Sequence, residues 1–342
     1  PPRSTPKPSS AASDVYKRQV RLFKFIFSKK GLAFFIALFS ALFLGVGYYV
    51  MDVSASVPCE YLWIEGNTPS KFVGAGETYG DRDHSNWYIE DYETVTIKST
   101  EGITLSGWWM EQNPGGKTVL MLHGLTSSKA SDGILIPSGM LYKAGFNILA
   151  IDLRDHGDST CEDGYYSAGQ YESDDSAAAL QWLVSEQGVK GENIGIYGNS
   201  LGALTTLNTY AKSKNFAAVA VHDPPVEFGT LVKEEMIYQG FPTFLYYPLK
   251  YYSRISQGVF PDKVTPEKAL PMGNKQPILV FNGMLDDRVQ PHHTDDLIEL
   301  AKQNGIEIES KRWADMGHVE GIWGHTEEFE QILVAFFSKN LG

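Results

Sequence analysis

Short runs of consecutive apolar residues recur from residue 93 onward, separated by longer stretches in which apolar positions return every three or four residues. Residues 93–99 and 104–111 predict a strand pair turned at Glu101-Gly102. Residues 118–122, 147–151, 194–197, 217–221 and 277–281 are apolar on nearly every successive position, which suits central strands buried on both faces. Helices are predicted over 132–144, 172–187, 201–213, 294–304 and 326–339, and residues 307–313 read as the last strand. Alternation of this kind predicts a mostly parallel central sheet with helices on both faces, the α/β class. No internal repeat is present.

Upstream the pattern is different. Residues 31–51 give 21 positions without a charge, enough at about 1.5 Å rise per residue to cross a hydrocarbon core of about 30 Å. Residues 1–30 carry eight Lys and Arg against Asp14 alone, a balance of +7; with −12 for the chain, the other 312 residues stand at −19. The cations precede the apolar run while Asp52, Glu60 and Glu65 follow it. The expected arrangement is a single-pass anchor, with a cytoplasmic N-terminus and the bulk of the chain outside the cytoplasm. A cleaved signal peptide competes, because Ser54-Ala55-Ser56 resembles a small-residue cleavage site; the apolar run is long for that role. Residues 1–19, rich in Pro and Ser without apolar period, read as a disordered tail or as extraneous to the native protein. The expected organisation is a basic, disordered tail over 1–30, a transmembrane helix over 31–51, a connecting segment over 52–92, and an α/β domain over 93–342 with an insertion over about 224–276.

Composition narrows the function. An acidic chain repels phosphate backbones, so nucleic acid is not an expected partner. Eight His without clustered Cys or an H-E-x-x-H string give no metal framework, and no cofactor is expected. Cys59 and Cys161 are the only cysteines and can pair in an oxidising compartment.

The chemistry begins at Gly198-Asn199-Ser200-Leu201-Gly202, which follows an apolar strand and opens a helix. That context is the one a nucleophilic serine on a strained turn requires. Side chains two residues to either side would collide with neighbouring backbone, and glycine removes the collision. The other motifs are His123-Gly124-Leu125-Thr126 after an early strand, Asp152-Leu153-Arg154 leading to Gly157-Asp158-Ser159, Asn282-Gly283-Met284-Leu285-Asp286, and Gly317-His318. With these, residues 90–340 resemble the α/β-hydrolase family.

The resemblance implies an α/β-hydrolase fold with an inserted lid and a triad in the order Ser, acid, His. Ser200, Asp286 and His318 keep that order, 86 and 32 residues apart. His318 is the expected base, with His325 a poorer second. Asp286 is the expected acid. Asp287 and Asp223 are alternatives: Asp287 reads as solvated or paired with Arg288, and some relatives take their acid after the strand that precedes Asp223. The oxyanion donors implied are the backbone N–H groups of Leu201 and Leu125. His123 and His156 read as loop-ordering, and His292-His293 as a solvated approach to a helix, since a metal there would need further ligands. The chain departs from many relatives at Asn199, where Glu, His or Trp precedes the serine, and at Asp155, where glycine is common.

The insertion carries Phe228, Tyr238, Phe241, Phe244, Tyr246, Tyr247, Tyr251, Tyr252 and Phe260. As a lid over Ser200 these rings favour an acyl or aromatic substrate, although many of them serve the lid's own packing. The expected activity is hydrolysis of small acyl esters by a membrane-anchored serine hydrolase. A peptidase or amidase is the first alternative, since Asp286-Asp287-Arg288-Val289 also looks like the acid loop of prolyl-oligopeptidase relatives. A catalytically silent binding module is the second.

Overall fold

Eight strands form one sheet in a computed structural model that describes residues 10–57, 59, 65–74, 82–260 and 263–342. In chain order they are β1 (Glu93–Lys98), β2 (Thr104–Met110), β3 (Thr118–Leu122), β4 (Asn147–Ile151), β5 (Ile194–Asn199), β6 (Ala218–His222), β7 (Ile278–Gly283) and β8 (Ile308–Trp313). Their spatial order is β1-β2-β4-β3-β5-β6-β7-β8. β1 and β2 pair antiparallel through a turn in which Gly102 takes φ of 80°, and β2 pairs antiparallel with β4. All remaining pairs are parallel, so their carboxyl ends lie on one edge.

Helices α1 (Ser10–Ile26) and α2 (Lys29–Ala55) precede the sheet. Those that follow are α3 (Asp132–Lys143), α4 (Glu172–Ser185), α5 (Leu201–Thr209), α6 (Phe228–Tyr238), α7 (Tyr246–Ser256), α8 (Pro266–Ala269), α9 (His292–Gln303), α10 (Gly321–Gly324) and α11 (Thr326–Asn340). Side chains alternate across a strand, so each central strand feeds two cores. Leu120, Ile196, Val219 and Val280 pack with Leu180 of α4, Leu207 of α5 and Leu297 of α9. Val119, Tyr197, Ala220 and Phe281 face the opposite way, against Ile134 of α3 and Phe329 and Phe337 of α11. Each such aliphatic side chain contributes about 1.5–3 kcal/mol by leaving water. The edge strand β8 instead presents Lys311 and Arg312, charges that discourage pairing with another chain.

A third apolar cluster joins α2 to the insertion. Val50 and Met51 at the end of α2 are buried with Phe228, Val232 and Met236 of α6 and Tyr246 and Leu249 of α7. Along this seam Tyr48 meets Tyr252 and Phe43 meets Tyr251, with ring centroids 5.7 and 6.1 Å apart. Gly47 lets the helices touch: a Cβ there would stand 2.3 Å from the Pro248 carbonyl oxygen. The seam continues past the helix end, where Tyr165 Oη donates to Asp52 at 2.9 Å and Val57 N–H donates to the Gly164 carbonyl at 2.7 Å. Cys59 and Cys161 form a disulfide just beyond.

Two segments differ from the expected organisation. The stretch expected to be a disordered tail contains α1, in which Val15, Leu22 and Ile26 share one side while Lys17, Arg21 and Lys24 lie on another. The 3.6-residue period of its second half, hidden by the Pro- and Ser-rich first residues, accounts for the helix; residues 1–9 lie outside those described. In the connecting segment, Phe72 and Ile89 enter the core under α3, and Asn67 donates to the Ala130 carbonyl at 3.1 Å.

Candidate active site

Ser200 follows β5 on a sharp turn with φ of 52° and ψ of −116°, a conformation that costs an ordinary residue about 1–3 kcal/mol. The flanking glycines make the turn sterically possible. A Cβ on Gly198 would lie 2.2 Å from the Gly202 carbonyl oxygen, and one on Gly202 would lie 2.1 Å from that of Leu122. Both contacts are with backbone, which cannot rotate away. The turn is fastened to its neighbour by Ser200 N–H donating to the His222 carbonyl at 2.9 Å.

His318 reaches the same place from the loop after β8, and Asp286 from the loop after β7. His318 Nε2 is 3.0 Å from Ser200 Oγ, and its Nδ1 is 2.7 Å from Asp286 Oδ2. The Asp286 side chain is fully buried; its other oxygen accepts the N–H groups of Arg288 and Val289, both at 2.9 Å. That leaves Oδ2 for the imidazole. Burial pushes the His318 pKa down, but the hydrogen bond and charge of Asp286, with a contribution from Asp223, outweigh it and the net shift is upward.

The alternative acids lie elsewhere. Asp287 is exposed, and Arg288 pairs with Glu235 of α6 at 3.1 Å rather than with Asp287. Asp223 is buried behind the site and acts as a splice: one oxygen accepts from Asn282 Nδ2 and Gly283 N–H at 2.8 and 3.0 Å, the other from Val319 N–H at 2.6 Å. It therefore ties the ends of β6 and β7 to the residue after His318. Burial drives the Asp223 carboxyl pKa upward, in opposition to these donors. His325 turns away to Asp315 at 3.0 Å.

The Leu201 amide opens α5, among the first-turn N–H groups that have no partner inside a helix, and Leu125 lines the same cavity as Ser200. The loop carrying Leu125 is held from behind. His123 Nε2 accepts Leu153 N–H at 3.0 Å, which places its proton on Nδ1 for the Gly124 carbonyl at 2.8 Å. Burial, with the charge of His156, keeps the His123 pKa well below the ordinary value, so the ring stays neutral. Lys129, itself buried, is clamped by Asp152 and Asp158 beneath this loop. Asp155, where relatives often have glycine, takes φ of 62°, and its carboxylate accepts three successive N–H groups from Glu162, Asp163 and Gly164. Asn199 donates to the Gly133 carbonyl at 3.2 Å and so bolts the elbow to α3.

The cavity above Ser200 and His318 has a volume of about 460 Å³. Phe228, Val232 and Met236 of α6 and Leu249 of α7 form one side. The other includes Val50, Met51 and Val53 of α2, a contribution that sequence reasoning missed; its one trace is a glycine inside the apolar run. Sequence reasoning also missed Glu234 of α6, whose carboxylate meets His292 Nε2 at 2.6 Å and His293 Nε2 at 3.2 Å. By ligand type these three residues are able to hold a cation. Their observed contacts are hydrogen bonds that bind the insertion to α9.

A serine, an imidazole and a buried carboxylate in hydrogen-bonded series, on the carboxyl edge of a parallel sheet, form a constellation suited to acyl transfer. Residues 138–342 match the model of the prolyl oligopeptidase family, and the chain belongs to that family of α/β-hydrolase-fold serine hydrolases. An esterase of Pyrococcus furiosus is similar over 80% of this chain and 99% of its own, with 26% identity and a TM-score of 0.61. The acylaminoacyl peptidase of Pyrococcus horikoshii shares the fold at 16% identity and a TM-score of 0.57, over 73% of this chain and 41% of its own. A polyketide transferase of Stachybotrys chlorohalonatus is 29% identical over 137 residues, 40% of this chain and 46% of that protein. The chain spans less than half the length of the curated relatives it matches.

Proposed function

We propose that this chain hydrolyses carboxylic esters through an acyl-enzyme, with Ser200 as nucleophile, His318 as base and Asp286 as the acid that orients it. The observation that carries the reading is the Ser200–His318–Asp286 hydrogen-bonded series opening into an apolar cavity. Ser200 Oγ attacks the ester carbonyl carbon as its proton passes to His318 Nε2, and the carbonyl oxygen becomes an oxyanion received by the Leu201 and Leu125 amides. The carbonyl re-forms, the bond to the alcohol oxygen breaks, and His318 returns the proton to that oxygen. Water then attacks the acyl-enzyme by the same route, giving the carboxylic acid and free Ser200. Asp286 keeps the proton on Nδ1 and stabilises the imidazolium.

Esters are favoured over amides by the apolar lining and by the similarity to an esterase over nearly that protein's whole length. A peptidase is the second reading, since Glu235 brings a carboxylate to the cavity; Arg288 already engages it. The test is kcat/KM for p-nitrophenyl esters from acetate to palmitate, below micelle formation, beside aminoacyl and peptidyl amides. Each buried methylene contributes up to about 0.8 kcal/mol, nearly fourfold when realised in the transition state, until the chain meets the wall of the cavity. The expected profile peaks at short or medium acyl length and then falls. Faster cleavage of the amides, or indifference to acyl length, would favour the peptidase.

The pH profile tests the base. Protonated imidazole accepts no proton, so kcat/KM should fall as pH drops through the His318 pKa, with a midpoint above the ordinary value of about 6.5 because the net shift is upward. A midpoint at or below that value would count against a His318 held by Asp286.

We further propose that α2 is a retained membrane anchor and that the catalytic domain lies outside the cytoplasm. Supporting this are the cations before α2, the Cys59–Cys161 disulfide, and the burial of Val50 and Met51, which a cleaved signal peptide would take away. Protease added to intact spheroplasts is expected to degrade the catalytic domain while it is still membrane-bound. Full protection, or a soluble form beginning near Val57, would overturn the topology.

A further inference from the structure

Beside its seam with α2, the lid helix carries an apolar face that is largely exposed among the described residues. Phe244, just before α7, and Tyr247, Tyr251 and Ile255 within it recur at spacings of three, four and four, hence on one side of the helix, and each is 50–70% exposed. The opposite side of α7 packs through Tyr246, Leu249 and Ser253, and α2 borders the exposed face at Pro248 and Tyr252. Polar side chains would stabilise the exposed face in water; here aromatic rings and an isoleucine occupy it, and the neighbouring Arg254 turns its guanidinium over Phe260 at 4.7 Å.

The position of α7 beside α2 identifies the covering medium. The seam between the two helices runs from Phe43–Tyr251 through Gly47–Pro248 to the buried Val50 and Met51. Phe43 precedes Met51 by eight residues, about 12 Å of helix, so Tyr251 stands that far inside the end of the apolar span. A bilayer that embeds residues 31–51 of α2 therefore also reaches α7. The exposed apolar residues of α2, among them Phe39, Leu42 and Val46, lie in the same stretch of the span. Tyr48, three residues from Met51 and paired with Tyr252, supplies an amphipathic ring of the kind favoured near the boundary between hydrocarbon and headgroups. The cavity is walled by the last turn and a half of α2, which places its apolar end at that boundary with Ser200 beyond.

We infer that α7 is inserted into the leaflet at the carboxyl end of α2, and that the cavity takes its substrate laterally from that leaflet, as an ester whose acyl chain resides in the bilayer. This deepens the esterase reading and rests on it. An ester already in the leaflet presents its acyl chain at the depth of the cavity without first dissolving in water.

The test uses the full chain in vesicles of phosphatidylcholine and phosphatidylglycerol. The native cysteines are joined, so Tyr247→Cys, Ile255→Cys and a surface control, Glu299→Cys, each offer one free thiol for a nitroxide label. Labels at 247 and 255 are expected to be open to oxygen and shielded from a water-soluble nickel chelate, with the reverse at 299. Chelate access at 247 and 255 equal to that at 299 would overturn the inference, as would shielding from both reagents, the signature of a protein partner or a second copy. In the activity arm, Tyr247→Asp, Tyr251→Asp and Ile255→Asp together are expected to slow release of decanoate from didecanoylglycerol in vesicles about tenfold, leaving dissolved p-nitrophenyl butyrate within about twofold. Equal loss on both substrates would overturn lateral delivery, and the single-cysteine labels stand even if the triple variant fails to fold. If the unmodified chain leaves p-nitrophenyl butyrate intact, the esterase reading falls while the label depths still decide where α7 lies.

Discussion

Ser200→Ala and His318→Ala are each expected to lower kcat about 10⁴-fold or more, with the thermal midpoint unchanged. Neither side chain supports the core: Ser200 Oγ bonds the imidazole, and His318 is held through Asp286. A fluorophosphonate probe should label the parent protein at Ser200 and leave Ser200→Ala unlabelled; a folded parent that takes no label would instead indicate a silent binding module. The acid separates in the same experiment. Asp286→Asn replaces the acceptor facing Nδ1 with a group that favours the wrong tautomer, so it should cost orders of magnitude, whereas Asp287→Asn, at an exposed side chain, should change kcat little. Asp223→Asn is the informative control. It removes a charge from a splice of three N–H donors, so the expected loss is chiefly in stability; a collapse of kcat at unchanged stability would move the acid to Asp223.

Gly202→Ala is expected to damage the site from a residue that carries no reactive atom. The added methyl would lie 2.1 Å from the Leu122 carbonyl oxygen and 2.7 Å from that of His123, so β3 and the elbow must move apart. Overpacking of this kind costs about 1–3 kcal/mol. The separation also displaces the Leu125 loop from the elbow, and a misplacement of about 1 Å costs on the order of 10²-fold in rate. Calorimetry with kcat measured on the same preparation checks both effects. A variant with parental kcat would show that the two donor segments tolerate separation, contrary to the oxyanion geometry proposed.

The sheet was largely legible because its strands carry runs of four or more apolar residues: residues 118–122 and 147–151, each apolar after its first position, coincide with β3 and β4, and Asp286 and His318 follow their strands as the family resemblance implies. Helix ends were less so. The helix expected to reach residue 213 closes at Thr209, because Tyr210 turns inward to donate to the Gln276 carbonyl, a long-range bond with no local trace. The role of Asp223 was hidden for a similar reason: a carboxylate after a strand looks alike whether it meets an imidazole or three amides from other strands. Glu234 sits 58 residues from His292, so no spacing rule joins them. The tail failed as an expectation because composition was averaged across a boundary near residue 10.

The close approach at Gly47 also fixes a rotation. Each residue of an α-helix turns by about 100°, so one residue inserted between Gly47 and Met51 would swing Val50 and Met51 out of the cavity wall, while an insertion earlier in α2 would leave that wall intact. The apolar helix is thus divided into a stretch where only hydrophobicity matters and a stretch where phase matters. In the anchor role proposed above, a foreign apolar helix of equal length could replace the former, but grafted in place of the whole it would leave the cavity over Ser200 unroofed.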